Sequence, residues 1–105
     1  VYTAAKHAVV GMTRALAKEL AATSVTVNAV CPSFTDTDLI SRSLDMIASK
    51  SGRDRDAILS EMVKPNPQGR LIDPREVADT VAWLAIDAGP SITGQAIAID
   101  GGETA

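Results

Sequence analysis

The first twenty residues repeat their apolar positions at helical intervals. Between Thr3 and Ala21, Val9, Thr13, Leu16 and Leu20 recur at steps of four, three and four, and Ala, Lys, Glu and Met fill much of the rest. The spacing predicts one long amphipathic helix. Gly11 costs such a helix about 1 kcal/mol relative to Ala, so it is expected to mark a close approach to another backbone. After Thr23-Ser24 the pattern becomes Val25-Thr26-Val27-Asn28-Ala29-Val30-Cys31, β-branched and small apolar residues stopped by Pro32. That is the profile of a strand buried on both faces.

From 33 to 71 short apolar sets lie among polar residues. Leu39, Ile40, Leu44 and Ile47, then Ile58, Leu59 and Met62, predict two short amphipathic helices. Ser51-Gly52-Arg53 separates them, Asp54 is the expected N-cap of the second, and Pro65-Asn66-Pro67 ends it. A long excursion after a buried strand is the usual place of a lid, here about 38–64. Asp73-Pro74-Arg75-Glu76 then supplies an N-cap acceptor, a proline at the first helical position and an acid at the third. This helix is expected to end near Asp87-Ala88-Gly89-Pro90, with Gly89 taking a left-handed cap conformation. Gln95 to Asp100 reads as a second buried strand closed by Gly101-Gly102.

Helix, strand, lid, helix, strand is an α/β order with parallel strands. A helix feeding a buried strand is half of a βαβ unit, and two strands alone do not make a stable doubly wound sheet. The chain also opens on Val1 inside a helical pattern. It therefore reads as a fragment, with a parallel neighbour expected before Val1.

Composition narrows the function classes. There are 105 residues, 46% of them apolar, with 10 Lys+Arg against 13 Asp+Glu and a net charge of −3, which suits a globular protein and not a nucleic-acid binder. One cysteine, Cys31, makes no internal disulfide, and one histidine, His7, without cysteine partners makes no zinc cluster, so no metal is expected. No apolar run spans a bilayer, and VYTAAKH lacks a signal-peptide layout, so no membrane partner is expected and the cytoplasm is the expected compartment.

Two places carry candidate chemistry. Ligands of open α/β sheets bind beyond the carboxyl ends of the strands, which points to Pro32-Ser33-Phe34-Thr35-Asp36-Thr37, rich in hydroxyls and backbone N–H groups. The alternative is an ordinary turn in which Asp36 or Thr37 caps the next helix. Tyr2 and Lys6 stand four apart, one turn apart on one helix face. An ammonium beside a tyrosine favours the phenolate, which makes the pair a candidate acid/base. The competing reading is chance, because a Tyr four before a Lys is a common spacing. His7 is read as a helix-surface residue, and Cys31 as a small core residue.

Taken in order, Tyr2-x-x-x-Lys6 on an Ala-rich helix, VTVNAVCPSFTDTDL, NPQGRLIDPREVADTVAWL and ITGQAIAIDGG resemble the short-chain dehydrogenase/reductase family over nearly the whole chain. The details look most like 3-oxoacyl thioester reductases, 3-hydroxyacyl-CoA or 3-hydroxybutyrate dehydrogenases and polyketide ketoreductases. The resemblance implies an α/β fold, the C-terminal part of a doubly wound parallel-sheet Rossmann-like domain occupying 1–105. It implies an enzyme using NAD or NADP to interconvert a secondary alcohol and a ketone, with 3-hydroxyacyl/3-oxoacyl substrates and acyl thioesters among them. Tyr2 would be the catalytic acid/base, and Lys6 would stabilise its phenolate and bond the nicotinamide ribose. Pro32, Ser33, Phe34, Thr35 and Thr37 would wrap the nicotinamide end of the cofactor, the Thr35 backbone facing the carboxamide. Phe34 and the lid would cover the substrate.

By the same resemblance the intact parent is a homo-oligomer, tetramer or dimer, through faces around Ala8, Ala15 and Val81-Trp83-Leu84, while the fragment alone is expected to be inactive. Ser33 departs from the family's usual glycine after this proline. A positive φ there would strain a serine by about 1 kcal/mol, whereas a negative φ would leave it harmless. The alternative function is a non-catalytic dinucleotide-binding or scaffold protein on the same fold.

Overall fold

Residues 1–105 are all described by a computed structural model. The elements run α1 (Tyr2–Glu19), β1 (Ala29–Pro32), α2 (Asp38–Ser51), α3 (Arg55–Val63), α4 (Pro74–Ile86) and β2 (Ala96–Ile99), the order expected from the sequence. They fall into two compact units, one of Val1–Cys31 with Asp79–Ile97 and one of Pro32–Ala78 with Ala98–Ala105. No helix is long and apolar enough to cross a membrane.

In the first unit α1 buries Thr13 of the expected stripe together with Ala17, and Leu20 is half-buried. Val9 and Leu16 stay exposed. The reason is a small-residue contact. A Cβ on Gly94 (φ +71°) would stand 3.2 Å from the Ala17 Cβ, so only glycine lets this segment come so near the helix. The close approach expected at Gly11 therefore occurs at Gly94, and nothing lies within 4 Å of where a Gly11 Cβ would be.

The strand expected over 25–31 is regular only from Ala29. Before it, one backbone bond, Gly94 N–H to the Val27 carbonyl (2.7 Å), is supplemented by side chains: Val27 N–H donates to Thr93 Oγ1 (3.0 Å), Asn28 Nδ2 donates to the Ile92 carbonyl (2.8 Å), and Gln95 N–H donates to Asn28 Oδ1 (3.1 Å). Ala29 N–H then bonds the Gln95 carbonyl (2.8 Å) and Ser33 N–H the Ile99 carbonyl (3.1 Å). Partners advance together along both strands, so β1 and β2 are a parallel pair in a two-stranded sheet. Both strands are half-exposed instead of buried on both faces, because each has a single partner. Cys31 is accordingly half-buried. The end of α4 also differs from expectation. Asp87 and Ala88 N–H groups both reach the Trp83 carbonyl (2.9 and 2.8 Å), and Gly89 does not adopt a positive φ.

The second unit has the larger core, with Leu44 of α2, Ile58 of α3 and Ile72 buried. α2 and α3 pack together across a short turn whose Gly52 is left-handed (φ +67°), its N–H returning to the Ala48 carbonyl (2.9 Å). Asp54 caps α3 by accepting from Ala57 N–H (3.1 Å), as its position predicts. At the start of α4, Asp73 Oδ1 accepts from Arg75 N–H (2.8 Å) and Glu76 Oε2 accepts from Asp73 N–H (2.8 Å), a reciprocal capping box.

Candidate active site

Tyr2 and Lys6 occupy the first turns of α1, where the Ala5 N–H already bonds the Val1 carbonyl (3.0 Å). The helix sets both side chains on one face, and Lys6 Nζ lies over the Tyr2 ring, 5.3 Å from its centre. That is within the range of cation–π attraction. Tyr2 is 76% exposed, so its hydroxyl is open to a reactant. His7 Nδ1 bonds the Thr3 carbonyl (2.9 Å) on the helix surface, the role assigned to it from sequence.

Pro32 to Thr37 lies in the second unit. Pro32 closes β1, having no N–H to continue the ladder. Ser33 has a negative φ and is unstrained, since no residue other than glycine has a positive one. It is a hub: its N–H donates to the Ile99 carbonyl, its carbonyl accepts from Thr35 Oγ1 (2.9 Å), and its own Oγ donates to Glu103 Oε2. Phe34 is 45% exposed.

Thr35 forms an isolated parallel bridge with Ile72. The bonds of that bridge run from Ile72 N–H to the Phe34 carbonyl and from Asp36 N–H to the Ile72 carbonyl (both 2.9 Å). They use the neighbours of Thr35, so its own N–H and C=O point away from Ile72, as parallel pairing requires. The result is a donor and an acceptor presented side by side on the loop. Thr37 stands at the N-cap of α2 in extended conformation, yet its side chain makes no capping bond. The capping alternative therefore fits its position and not its hydroxyl.

Two braces hold this loop. Behind Ile72, which is 1% exposed, Arg70 makes a two-pronged contact with Glu76 (Nη1–Oε2 2.7 Å, Nη2–Oε1 2.9 Å), and Asn66 bonds Gln68 N–H (2.8 Å) and the Arg70 carbonyl (3.0 Å). The Arg70 guanidinium, with help from the Asp73 N–H, holds the Glu76 carboxyl down at about 2, and Glu76 in turn raises Arg70. On the other side is the turn after β2. There the Asp100 carboxylate accepts from Gly102 N–H (2.9 Å), Thr104 N–H (3.1 Å) and Thr104 Oγ1 (2.6 Å), bonds that hold it below the ordinary carboxylate range, the Thr104 hydroxyl contributing most.

A groove of this unit, about 610 Å³ and lined by residues including Asp36, Leu59, Val63 and Arg70, contains none of the other loop residues. Sequence reasoning missed Ile72, Asn66, Asp100 and Glu103 as supports of the loop. An Asn between two prolines was the one local signal among them.

The family model described as enoyl-(acyl carrier protein) reductase matches residues 1–104. The chain belongs to the short-chain dehydrogenase/reductase family. It is 41% identical to the short-chain reductase protein NovJ of Streptomyces niveus over 96% of its own length and 37% of that relative's. A short-chain dehydrogenase family protein of Francisella tularensis subsp. tularensis SCHU S4 has a solved structure that superposes with a TM-score of 0.92 at 38% identity, covering 98% of this chain and 43% of that one. A variant of actinorhodin polyketide ketoreductase, solved with NADPH, gives 0.85 at 36% identity, covering 97% and 39%. This short-chain dehydrogenase/reductase chain thus has the family's α/β Rossmann fold with its parallel strands, and it spans about two-fifths of the length of the relatives it matches.

Proposed function

We propose that the protein carrying this chain is an NAD(P)-dependent oxidoreductase that interconverts a secondary alcohol and a ketone, with 3-hydroxyacyl and 3-oxoacyl compounds as substrates. The observation that carries the reading is the Tyr2–Lys6 pair, an exposed phenol one helical turn from an ammonium 5.3 Å from its ring. Tyr2 Oη gives its proton to the ketone oxygen in reduction and takes it back in oxidation. Lys6 stabilises the negative charge left on that oxygen and offers N–H donors to the ribose hydroxyls. When bound, the nicotinamide supplies or accepts the hydride.

The loop fits that group. A carboxamide presents an NH2 that donates and a carbonyl that accepts, and the Thr35 C=O and N–H turned away from Ile72 complement them. Pro32 and the unstrained Ser33 set the approach of the loop, and the uncommitted Thr37 hydroxyl serves the carboxamide or the pyrophosphate. The polyketide ketoreductase that superposes on this chain was solved with NADPH, which supports the same cofactor class here, NAD or NADP.

The packed pair α2 and α3, about 38–64, forms the lid. Its exposed apolar side chains Leu39 and Met46 lie two turns apart on one face of α2, and with Phe34 they suit the hydrocarbon part of an acyl substrate. The exposed Val81 and Trp83 of α4 support a homo-oligomer through this helix.

The test is Tyr2→Phe in the full-length protein, assayed for NADPH- and NADH-linked reduction of a 3-oxoacyl thioester. Turnover is expected to fall at least about 100-fold, the scale of a lost general acid, while cofactor affinity changes little. Near-normal turnover would remove Tyr2 from this role.

A further inference from the structure

We propose that Glu103 is a positioning residue, which holds the loop 33–37 in its ligand-ready arrangement by accepting the Ser33 hydroxyl. The inference rests on the reading above that this loop receives the nicotinamide end of the cofactor. Ser33 is fixed at three points, and two of them come from the end of the chain: Ile99 takes its N–H, and Glu103 takes its hydroxyl. Its carbonyl receives Thr35 Oγ1, so any rotation of Ser33 is passed to Thr35.

Glu103 can serve as a fixed anchor because the turn that carries it is itself closed. Asp100 ties down Gly102 and Thr104 on either side of it, and Glu103 N–H returns to the Asp100 carbonyl (3.3 Å). The turn also seats against the rest of the unit. A Cβ on Gly101 would collide with the Asn66 amide, and one on Gly102 would stand 3.5 Å from Pro67. The side of Thr35 opposite its anchored neighbours is thereby kept at one orientation. A glycine at position 33 would have no side chain to be held in this way, so the serine and the glutamate act as one unit.

The experiment uses the full-length protein with Glu103→Ala, Glu103→Gln, Ser33→Ala and the Ser33→Ala/Glu103→Ala double variant. Affinity is measured by fluorescence titration with whichever of NADPH or NADH binds the wild type. ADP-ribose is titrated in parallel, 2′-phosphorylated for an NADPH enzyme, because it lacks the nicotinamide. Glu103→Ala and Ser33→Ala are each expected to weaken the dinucleotide about 3- to 10-fold, the scale of one hydrogen bond. The double variant is expected to be no worse than either single one. Glu103→Gln, which keeps an acceptor oxygen, should restore affinity to within about 2-fold of wild type, and ADP-ribose, which keeps the pyrophosphate but lacks the carboxamide, should lose less than the dinucleotide in every variant.

Unchanged dinucleotide affinity in Glu103→Ala, additive losses in the double variant, or equal losses for ADP-ribose would each overturn the positioning role and leave the proposed function standing. A wild-type protein that binds neither dinucleotide would overturn both.

Discussion

Two glycines show how the cost of the same substitution depends on what surrounds it. Gly52 and Gly101 have nearly the same left-handed backbone, φ +67° and +65°. At Gly52 an added Cβ meets nothing within 4 Å, so Gly52→Ala should cost only the backbone strain, about 1 kcal/mol. At Gly101 the Cβ collides with the Asn66 amide, which is buried and bonded to Gln68 and Arg70. Gly101→Ala should therefore cost about 1–3 kcal/mol more than Gly52→Ala, because it displaces a satisfied buried polar group. Urea unfolding of the two variants checks this, and equal losses would mean that Asn66 moves aside freely. The sequence shows Gly101-Gly102 as the close of a strand, but the contact with Asn66 joins distant positions and leaves no local pattern. Ser33–Glu103 was invisible for the same reason, whereas Tyr2 and Lys6 were legible because one helical turn alone brings them together.

Elements were legible where their signals are local. Asp54 and the Asp73–Glu76 box occupy the capping positions that their spacing demands. Gly89 misled because the Trp83 carbonyl accepts both closing N–H groups, which ends α4 without a left-handed residue. Gly11 misled because the glycine that permits a close approach stands on the other partner, Gly94 against Ala17.

The start of α4 also carries a pH dependence. Glu76 titrates at about 2 in the folded protein against an ordinary 4.5, so its contribution is complete above pH 4.5 and is lost as pH falls toward 2. Melting temperatures of wild type and Glu76→Gln should therefore differ by a constant amount at pH 5–8, and the gap should close as pH falls from 4.5 toward 2. A gap that persists unchanged at pH 2 would show that the carboxylate charge on Arg70 and the Asp73 N–H is not its source.

Across the whole chain, the hydrophobic pattern located the helices and the buried positions of α2 and α3, Leu44 and Ile58 among them, but of the face it marked on α1 only Thr13 is fully covered. The second unit encloses Leu44, Ile58 and Ile72, each 5% exposed or less, while the buried residues of α1 are only Thr13 and Ala17. Val9, Met12 and Leu16 follow one another at three- and four-residue steps along α1 and remain 37–58% exposed. Burial of large apolar side chains is what holds a helix in place, at about 1.5–3 kcal/mol for each one fully covered. On the chain 1–105, α1 should therefore open more readily than α2 and α3. Amide hydrogen exchange followed by mass spectrometry should show the backbone of α1 exchanging well before that of α2 and α3. Protection of α1 equal to that of α2 would have one of two sources. If a second copy covers its apolar stripe, protection falls on dilution, and if it does not fall, Thr13 and Ala17 alone anchor the helix and apolar burial is not the controlling term.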